Sequence, residues 1–271
     1  RYGIRNMYWD RVGGGDGFDV VPDPMAENRY GYSLSQGGNI SRYDLETGSR
    51  QFVKPFLASG EELRYNWNAG IAVDPIDKTT LYLGSQYLLK STDRGASWEK
   101  ISPDLTTNDP AKQKQATTGG LSLDNSGAEN HTTILSIAPS PLQKGVIWVG
   151  TDDGNVQLTT DGGKTWTNVV SKIPGAPKNA WITQIRASSY NANEAIVVIN
   201  NYRQSDWSAY VYRTKDMGKT WMRIANDQQV YGYCLATVQD PVVSNLHFLG
   251  TEYGLYVSVD DAKTWNKWTS G

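Results

Sequence analysis

The sequence has few of the residues that cross-link a chain or bind metal ions. Its 271 residues include one cysteine, Cys234, and two histidines, His131 and His247. A single cysteine excludes an intrachain disulfide, and the apolar residues around Cys234 predict a buried strand position. No histidine–cysteine spacing suited to a metal is present, and no glycine loop precedes a helix to bind phosphate. We therefore expect no metal and no other cofactor.

Long apolar runs and a dominant charge are also absent. No window approaches the ~18 apolar residues of a membrane-spanning helix, so no transmembrane segment is expected. A net charge of −2 and a pI near 5.8 give no general attraction to nucleic acid or to anionic membranes. No signal peptide is visible, but the chain begins at Arg1 without a methionine and in mid-pattern. We expect that the true N-terminus is missing, so this absence excludes nothing.

The residues that are abundant favour many short strands joined by turns. The chain contains 10 tryptophans and 16 tyrosines, with four phenylalanines, and 27 glycines and 11 prolines punctuate it. Tryptophan and tyrosine suit both strands and exposed binding surfaces, while frequent glycine and proline are typical of turns. The composition therefore predicts an all-β domain.

One eight-residue frame occurs four times. It reads Ser/Thr-x-Asp-x-Gly-x-Ser/Thr-Trp and spans residues 91–98, 159–166, 214–221 and 258–265, with Ala262 replacing glycine in the last copy. The aspartate can accept hydrogen bonds from its own turn, the glycine can adopt a positive φ, and the tryptophan can bury a large apolar ring. We interpret the frame as a structural hairpin turn, with these key residues: Asp93, Asp161, Asp216, Asp260, Trp98, Trp166, Trp221 and Trp265.

This frame is the Asp-box, and the chain resembles the BNR/Asp-box β-propellers. That group includes sialidases, xyloglucanases and sortilin-type receptors. The run from Val146 to Gly154 that leads into the second box most resembles secreted bacterial proteins of the sortilin-like, "BNR-repeat glycosyl hydrolase" type. The resemblance implies an extracellular, periplasmic or cell-surface location. The resemblance predicts the fold specifically but says little about function, because one fold carries many functions.

A second repeat runs out of phase with the boxes. Apolar strands end at Pro24, Pro75, Pro141 and Pro241, and Tyr190 holds the equivalent fifth place. Four strands about every 50 residues, with a turn motif between the third and fourth, are typical of a propeller blade. The predicted blades span residues 9–57, 64–103, 132–172, 180–226 and 230–268 within one domain covering 1–271. A polar insert is predicted at 103–133. It is either a functional loop or a solvated surface loop.

Five blades are few for this fold, so we expect the chain to be a segment of a larger propeller, most simply seven-bladed. An intact five-bladed ring is the alternative. In a propeller the boxes lie on one side, while loops before first strands and between second and third strands share the side of the central channel. The boxes are therefore predicted to point away from any ligand site.

The channel-side loops supply the predicted site residues. Candidate catalytic carboxylates are Asp16, Glu129, Asp152 and Glu252, of which Asp152 also fits a tight-turn sequence. The predicted ligand-binding residues are Trp67, Glu129, His131, Asp153, Trp181, Arg203, Trp207 and Tyr253. The same loops also carry Trp9, Gln36, Asn66, Gln86, Asp206, Tyr231 and Tyr233. Aromatic plates mixed with carboxylates and amides suit carbohydrate or peptide ligands.

Three functions stay open from the sequence. The favoured one is a sortilin-like module that binds a protein or peptide ligand, since no arginine triad or other catalytic motif of sialidases can be assigned. The alternative is a glycoside hydrolase that acts on a polysaccharide through two channel-side carboxylates. The third is a structural subunit of an envelope assembly. The sequence leaves open whether the chain is an enzyme, and it favours a function without catalysis; if the chain is an enzyme, a glycoside hydrolase is expected.

Overall fold

A computed structural model describes residues 11–27, 29–57, 59–114 and 130–269 of the chain. Within these ranges the protein is almost entirely β-structure, with five four-stranded antiparallel sheets and a few short 3-10 turns. In each sheet the four strands follow one another in chain order as a meander. This arrangement confirms the predicted all-β fold and forms a partial β-propeller. No helix in the described ranges has the length and apolar character needed to span a bilayer.

Each sheet is one blade, numbered in chain order. Blade 1 consists of β1 (Gly17–Pro22), β2 (Tyr30–Ser35), β3 (Asn39–Asp44) and β4 (Arg50–Phe52). Blade 2 consists of β5 (Ile71–Val73), β6 (Leu81–Gly84), β7 (Leu88–Ser91) and β8 (Glu99–Lys100). Blade 3 consists of β9 (Ile134–Pro139), β10 (Ile147–Thr151), β11 (Val156–Thr159) and β12 (Thr167–Asn168).

The last two blades are built in the same way. Blade 4 consists of β13 (Trp181–Ala187), β14 (Ala195–Asn201), β15 (Asp206–Thr214) and β16 (Met222–Ala225). Blade 5 consists of β17 (Cys234–Gln239), β18 (His247–Thr251), β19 (Gly254–Ser258) and β20 (Asn266–Lys267). All strands lie inside the five spans expected from the sequence, while the outer limits of those spans stay predictions. Cys234 is buried in β17, as predicted.

The core lies between consecutive blades. The second strands β10 and β14 are buried along their whole length because a neighbouring blade covers each of their faces. Separate buried apolar clusters join blades 1 and 2, blades 2 and 3, blades 3 and 4, and blades 4 and 5. Between blades 3 and 4, Trp148 and Trp221 meet edge to face with ring centroids 5.9 Å apart. The fourth strands of blades 1, 2, 3 and 5 are exposed, whereas β16 of blade 4 buries Ile224 and Ala225.

The four box turns fold alike. In the second box, Asp161 accepts hydrogen bonds from the Thr165 amide at 2.9 Å, the Thr165 hydroxyl at 2.6 Å and the Thr159 hydroxyl at 2.8 Å. The Thr165 hydroxyl is the main cause that lowers the pKa of Asp161 to about 2, and Asp93 and Asp216 are similar. A carboxylate saturated by its own turn favours a structural interpretation, which stays a prediction.

The box tryptophans contact the preceding blade. The indole N–H of Trp98 donates to the Val53 carbonyl at 2.9 Å, and that of Trp265 donates to the Ile224 carbonyl at 2.7 Å. Trp166 reaches the Ile101 carbonyl at 3.2 Å in the same way. The sequence predicts a large apolar ring that the hairpin buries against its own sheet. This interpretation needs correction, because the rings of Trp98, Trp166 and Trp265 reach across the gap to the preceding sheet.

Candidate functional site

Several predicted ligand residues of blades 4 and 5 come together in one aromatic cleft. The rings of Tyr202 and Tyr233 stack with centroids 4.7 Å apart, and Trp207 lies 6.0 Å from Tyr233. Beside them Tyr231 and Tyr253 form a second ring pair with centroids 4.5 Å apart. We call this surface the aromatic cleft and define it by Trp181, Tyr202, Arg203, Asp206, Trp207, Asp227, Tyr231, Tyr233, Glu252 and Tyr253.

The blade 4 side of the cleft is positioned by a short 3-10 turn. Strand β14 ends at Asn201, and residues Tyr202–Gln204 form one 3-10 turn that closes on Ser205 in the left-handed region at φ 60°. The side-chain amide of Asn201 donates to the Asp206 carboxylate at 3.0 Å, which fixes the start of β15. The chain therefore turns sharply and leaves the Trp207 ring 55% exposed.

Arg203 is held by aromatic faces. Its guanidinium carbon lies 3.4 Å from the centroid of Trp181 and 4.5 Å from that of Tyr202. Cation–π contact of this kind fixes an otherwise flexible side chain. Arg203 thereby connects the start of β13 with the loop between β14 and β15.

The blade 5 side depends on a glycine. Gly232 has φ +80°, and a Cβ atom at this position would lie 2.6 Å from the Tyr253 ring. Because glycine has no Cβ, Tyr253 can lie against the backbone and stack with Tyr231, which is 65% exposed. The two loops of blade 5 thus form one continuous wall of a cleft of about 770 Å³.

Three carboxylates line this cleft: Asp206, Asp227 and Glu252. Burial opposes ionisation of Asp206, but hydrogen bonds from Asn201 and from the Tyr210 hydroxyl at 2.9 Å outweigh it and lower its pKa. Asp227 accepts a hydrogen bond from the Ala209 amide at 2.7 Å. Glu252 is exposed, and its charge is the first cause of the raised pKa of Tyr253. The cleft is therefore acidic as well as aromatic.

The other predicted residues of blades 2 and 3 lie in a closed polar cluster. The Asp152 side chain is completely covered and accepts hydrogen bonds from Asn66 at 2.9 Å and from the Thr133 hydroxyl at 2.5 Å. Burial, followed by the neighbouring charge of Asp153, raises the pKa of Asp152 to about 7. His131 is also buried, with Nδ1 4.0 Å from an Asp152 oxygen.

Asp153 fastens part of the polar insert onto this cluster. One of its carboxylate oxygens accepts from both the amide and the hydroxyl of Thr107, each at 2.7 Å. The side chains of Asn155 and Gln157 both donate to the Leu105 carbonyl at 2.9 Å. Residues 104–113 therefore cover the channel side of blades 2 and 3, and Asp152 and Asp153 do not face open space.

The remaining candidates lie apart from the aromatic cleft. Asp16 is exposed just before β1 of blade 1, where its backbone N–H donates to the Gln36 side-chain oxygen at 3.0 Å. Gln86 holds the backbone of Arg64 by a 2.8 Å hydrogen bond, and Trp67 is half-buried at the entry to blade 2. Glu129 and Trp9 lie outside the described residues. In the part of the chain that the structure describes, no group of His, Cys, Asp or Glu has a metal-binding arrangement.

Sequence reasoning missed two contributors to the cleft, Tyr202 and Asp227. Tyr202 directly precedes Arg203 in the same loop, so its position alone could have indicated it. Asp227 lies in the loop between β16 and β17, the same loop that supplied Tyr231 and Tyr233, so its position could also have indicated it.

Comparison with models of protein families gives no match. Among curated proteins, the chain is 31% identical over 167 residues to a "Probable oligoxyloglucan-reducing end-specific xyloglucanase" of Neosartorya fischeri, covering 58% of this chain and 18% of that protein. It is 27% identical over 247 residues to the xyloglucanase Xgh74A of Acetivibrio thermocellus, covering 80% of this chain and 27% of that protein. The chain thus spans about a fifth to a quarter of these relatives.

A solved structure shares the fold. The GH74 xyloglucanase of Xanthomonas campestris superimposes with a TM-score of 0.60 at 21% identity, over 93% of this chain and 38% of that one. The curated relatives reported above are named as xyloglucanases and not as sortilin-like proteins, so the sortilin-like part of the sequence resemblance is not supported. The expectation of a protein- or peptide-binding module is wrong, because the relatives found are named as glycan hydrolases.

Proposed function

We propose that this chain is the glycan-binding part of a glycoside hydrolase-like propeller that acts on a xyloglucan-type polysaccharide. The observation that carries the proposal is the aromatic cleft, in which exposed rings and carboxylates share one surface. Flat apolar rings with a few oriented polar groups suit the faces and hydroxyls of sugar rings. The names of the curated relatives support the same substrate class.

Within the cleft we assign different roles to the rings and the carboxylates. Trp207, Tyr231 and Tyr253 are exposed enough to stack on sugar rings. Glu252 is the exposed carboxylate that can contact substrate, while Asp206 is engaged by its own loop. Hydrolysis of a glycosidic bond needs a second carboxyl group across the bond. Asp16 and Glu129 stay predictions for that role, and the enclosed Asp152 is not proposed for it.

The proposal extends to organisation and location. We propose that residues 1–271 belong to one propeller, since apolar clusters join each described blade to the next. A polysaccharide substrate favours an extracellular or cell-surface location. The partner is then a glycan.

The first experiment measures binding of xyloglucan oligosaccharides by calorimetry. Trp207→Ala removes a stacking surface and is expected to weaken binding at least about tenfold. Phe52→Ala is the matched control, because Phe52 is an equally exposed aromatic residue (56% against 55%) but lies in β4 of blade 1. Equal affinity of the two variants and of the wild type would contradict the proposal.

A second measurement separates binding from hydrolysis. Release of reducing ends from xyloglucan is followed for the wild type and for Glu252→Gln, which keeps the shape of the side chain and removes its charge. We expect Glu252→Gln to lose turnover while it retains oligosaccharide binding within about threefold. Turnover unchanged by this substitution would exclude Glu252 from catalysis.

A further inference from the structure

Blades 1 to 3 each bury one face against the next blade in the chain. The equivalent face of blade 5, which we call its outward face, carries residues at the same positions. In those blades the residue after the fourth strand donates its amide to the third strand: Val53 to Ile40, Ile101 to Leu88 and Val169 to Val156, at 2.8–3.0 Å. In blade 5 Trp268 donates to Leu255 at 2.8 Å in the same way. These hydrogen bonds fix which residues are equivalent.

The equivalent residues differ sharply in exposure. Ile40, Leu88 and Val156 are completely buried, whereas Leu255 is 39% exposed. Val53 and Val169 are also buried, but Trp268 is 57% exposed. Apolar positions that are covered in the earlier blades are therefore open in blade 5.

A glycine marks the same difference on the second strand. A Cβ atom on Gly84 would lie 2.6 Å from Ile134 Cγ2, and one on Gly150 would lie 2.5 Å from Ile182 Cγ2. In each case the first strand of the next blade seats an isoleucine directly on the glycine. Gly250 holds the corresponding place in β18, but the nearest atom to its Cβ direction is the Ala236 carbonyl oxygen at 3.7 Å.

The earlier interfaces also show what the covering element carries. The box glycine Gly95 packs on Val53, with 3.0 Å from its Cβ direction to the valine. The adjoining Trp98 donates its indole N–H to the carbonyl of the same valine. A blade that covers blade 5 in this manner needs an isoleucine or valine early in its first strand and a complete box.

We propose that the outward face of blade 5 is a docking surface for one further box-bearing blade, which seats a β-branched residue on Gly250 and its box on Trp268. Continuity with the interfaces between blades 2, 3 and 4 specifies this occupant. Blade 1 of a second copy of this chain would fit this surface less well, because its turn at residues 42–49 has no tryptophan to donate to a neighbouring blade.

The test adds the proposed occupant to the full chain. A copy of residues 130–173, which carry Ile134 and the box tryptophan Trp166, is joined to the C-terminus through a short flexible linker. Gly250→Val is then compared in the original and the extended protein. We expect a change in Tm below about 1 °C in the original chain and a loss of about 4 °C or more in the extended one. Gly150→Val, the control, should lower Tm in both.

Thiol labelling provides a second readout. Gly250→Cys should react readily in the original chain and at least about 100-fold more slowly in the extended one, with buried Cys234 as the unreactive reference. Equal labelling, or an equal effect of Gly250→Val in both proteins, would overturn the proposal. Light scattering that shows a dimer of the original chain, dissolved by Gly250→Arg, would also overturn it in favour of a second copy.

Discussion

The channel side of blades 2 and 3 and that of blades 4 and 5 use the same loops for opposite purposes. In blade 3 the loop between the second and third strands carries Asp152 and Asp153, which are buried under residues 104–113. In blade 4 the equivalent loop presents Trp207, which is 55% exposed. The comparison teaches that topology fixes where a loop emerges, while a distant polar segment decides whether it can contact a ligand.

The largest expected difference between the two regions is a dependence of stability on pH. Asp152 has a pKa of about 7 in the folded protein and an ordinary, lower one when unfolded. The folded state therefore holds the extra proton between about pH 4 and 7, and the stability this gives is lost as pH rises through 7. Unfolding by urea at pH 5 to 8 should show a loss on the order of 3 kcal/mol at most in the wild type.

Asp152→Asn should flatten that profile, because no proton is then exchanged at this position. Asp16→Asn, at an exposed carboxylate, is the control and should keep the wild-type slope. An unchanged slope in Asp152→Asn would show that the closed region is not the pH-sensitive one.

The closed region can be opened by removing one side chain. Asp153→Ala leaves the amide and hydroxyl of Thr107 without their acceptor, so we expect a loss of about 2–3 kcal/mol in unfolding free energy. Hydrogen exchange at the Thr107 amide should accelerate at least about tenfold. Asp109→Ala, in the same segment but with a local hydrogen bond to Ala111, should leave Thr107 protected; equal exchange in both variants would argue against the fastening role of Asp153.

The open region can be disturbed without touching a ligand-facing side chain. Gly232→Ala should displace Tyr253 and weaken xyloglucan binding about tenfold, since a Cβ would overlap its ring. Gly37→Ala has a similar positive φ of 67° but no atom within 4 Å of its Cβ direction. Both variants should melt at similarly lowered temperatures, as measured by calorimetry. If both also bind glycan alike, the Tyr231–Tyr253 wall is not part of the site.

The smallest expected effect lies at the box turn of blade 5. This turn follows the third strand of the blade, at the end opposite the channel-side loops. Ala262 has φ +61° where the other boxes have glycine. Ala262→Gly should raise the unfolding free energy by about 0.5–1 kcal/mol, because glycine relieves the left-handed strain at some entropic cost. Glycan affinity should not change. The control Ala96→Gly, at an alanine outside the positive-φ residues, should destabilise; a lower stability of Ala262→Gly would show that the turn is not strained.

Local sequence signals predicted the fold well. The box frame and the prolines after first strands predicted five spans of four strands each, and every strand of the five sheets lies inside its span. These signals succeed because turn chemistry and strand periodicity act over a few residues. Loop position follows directly from the meander, so the sequence placed Trp181, Arg203, Trp207 and Tyr253 on one side of the blades, while their role in ligand binding stays a prediction.

Contacts between distant segments could not be predicted in this way. Asp152 reads as an exposed turn residue, yet Asn66 bonds to it from 86 positions away and Thr133 from 19. The sequence indicates that the box tryptophans bury apolar rings, but it does not reveal that the indoles of Trp98, Trp166 and Trp265 donate to carbonyls of the preceding blade. Both outcomes depend on how neighbouring blades meet, which a short window of sequence does not encode.

The indole contacts have a consequence for how the molecule comes apart. Trp98, Trp166 and Trp265 each donate to the blade before their own. The box turns of blades 2, 3 and 5 are therefore anchored to a blade that is synthesised earlier. Assembly can therefore advance in the direction of synthesis, each new sheet completing itself on a finished one. Mechanical pulling from the C-terminal end should peel sheets off singly, whereas pulling from the N-terminal end should strip away a support on which the next sheet depends.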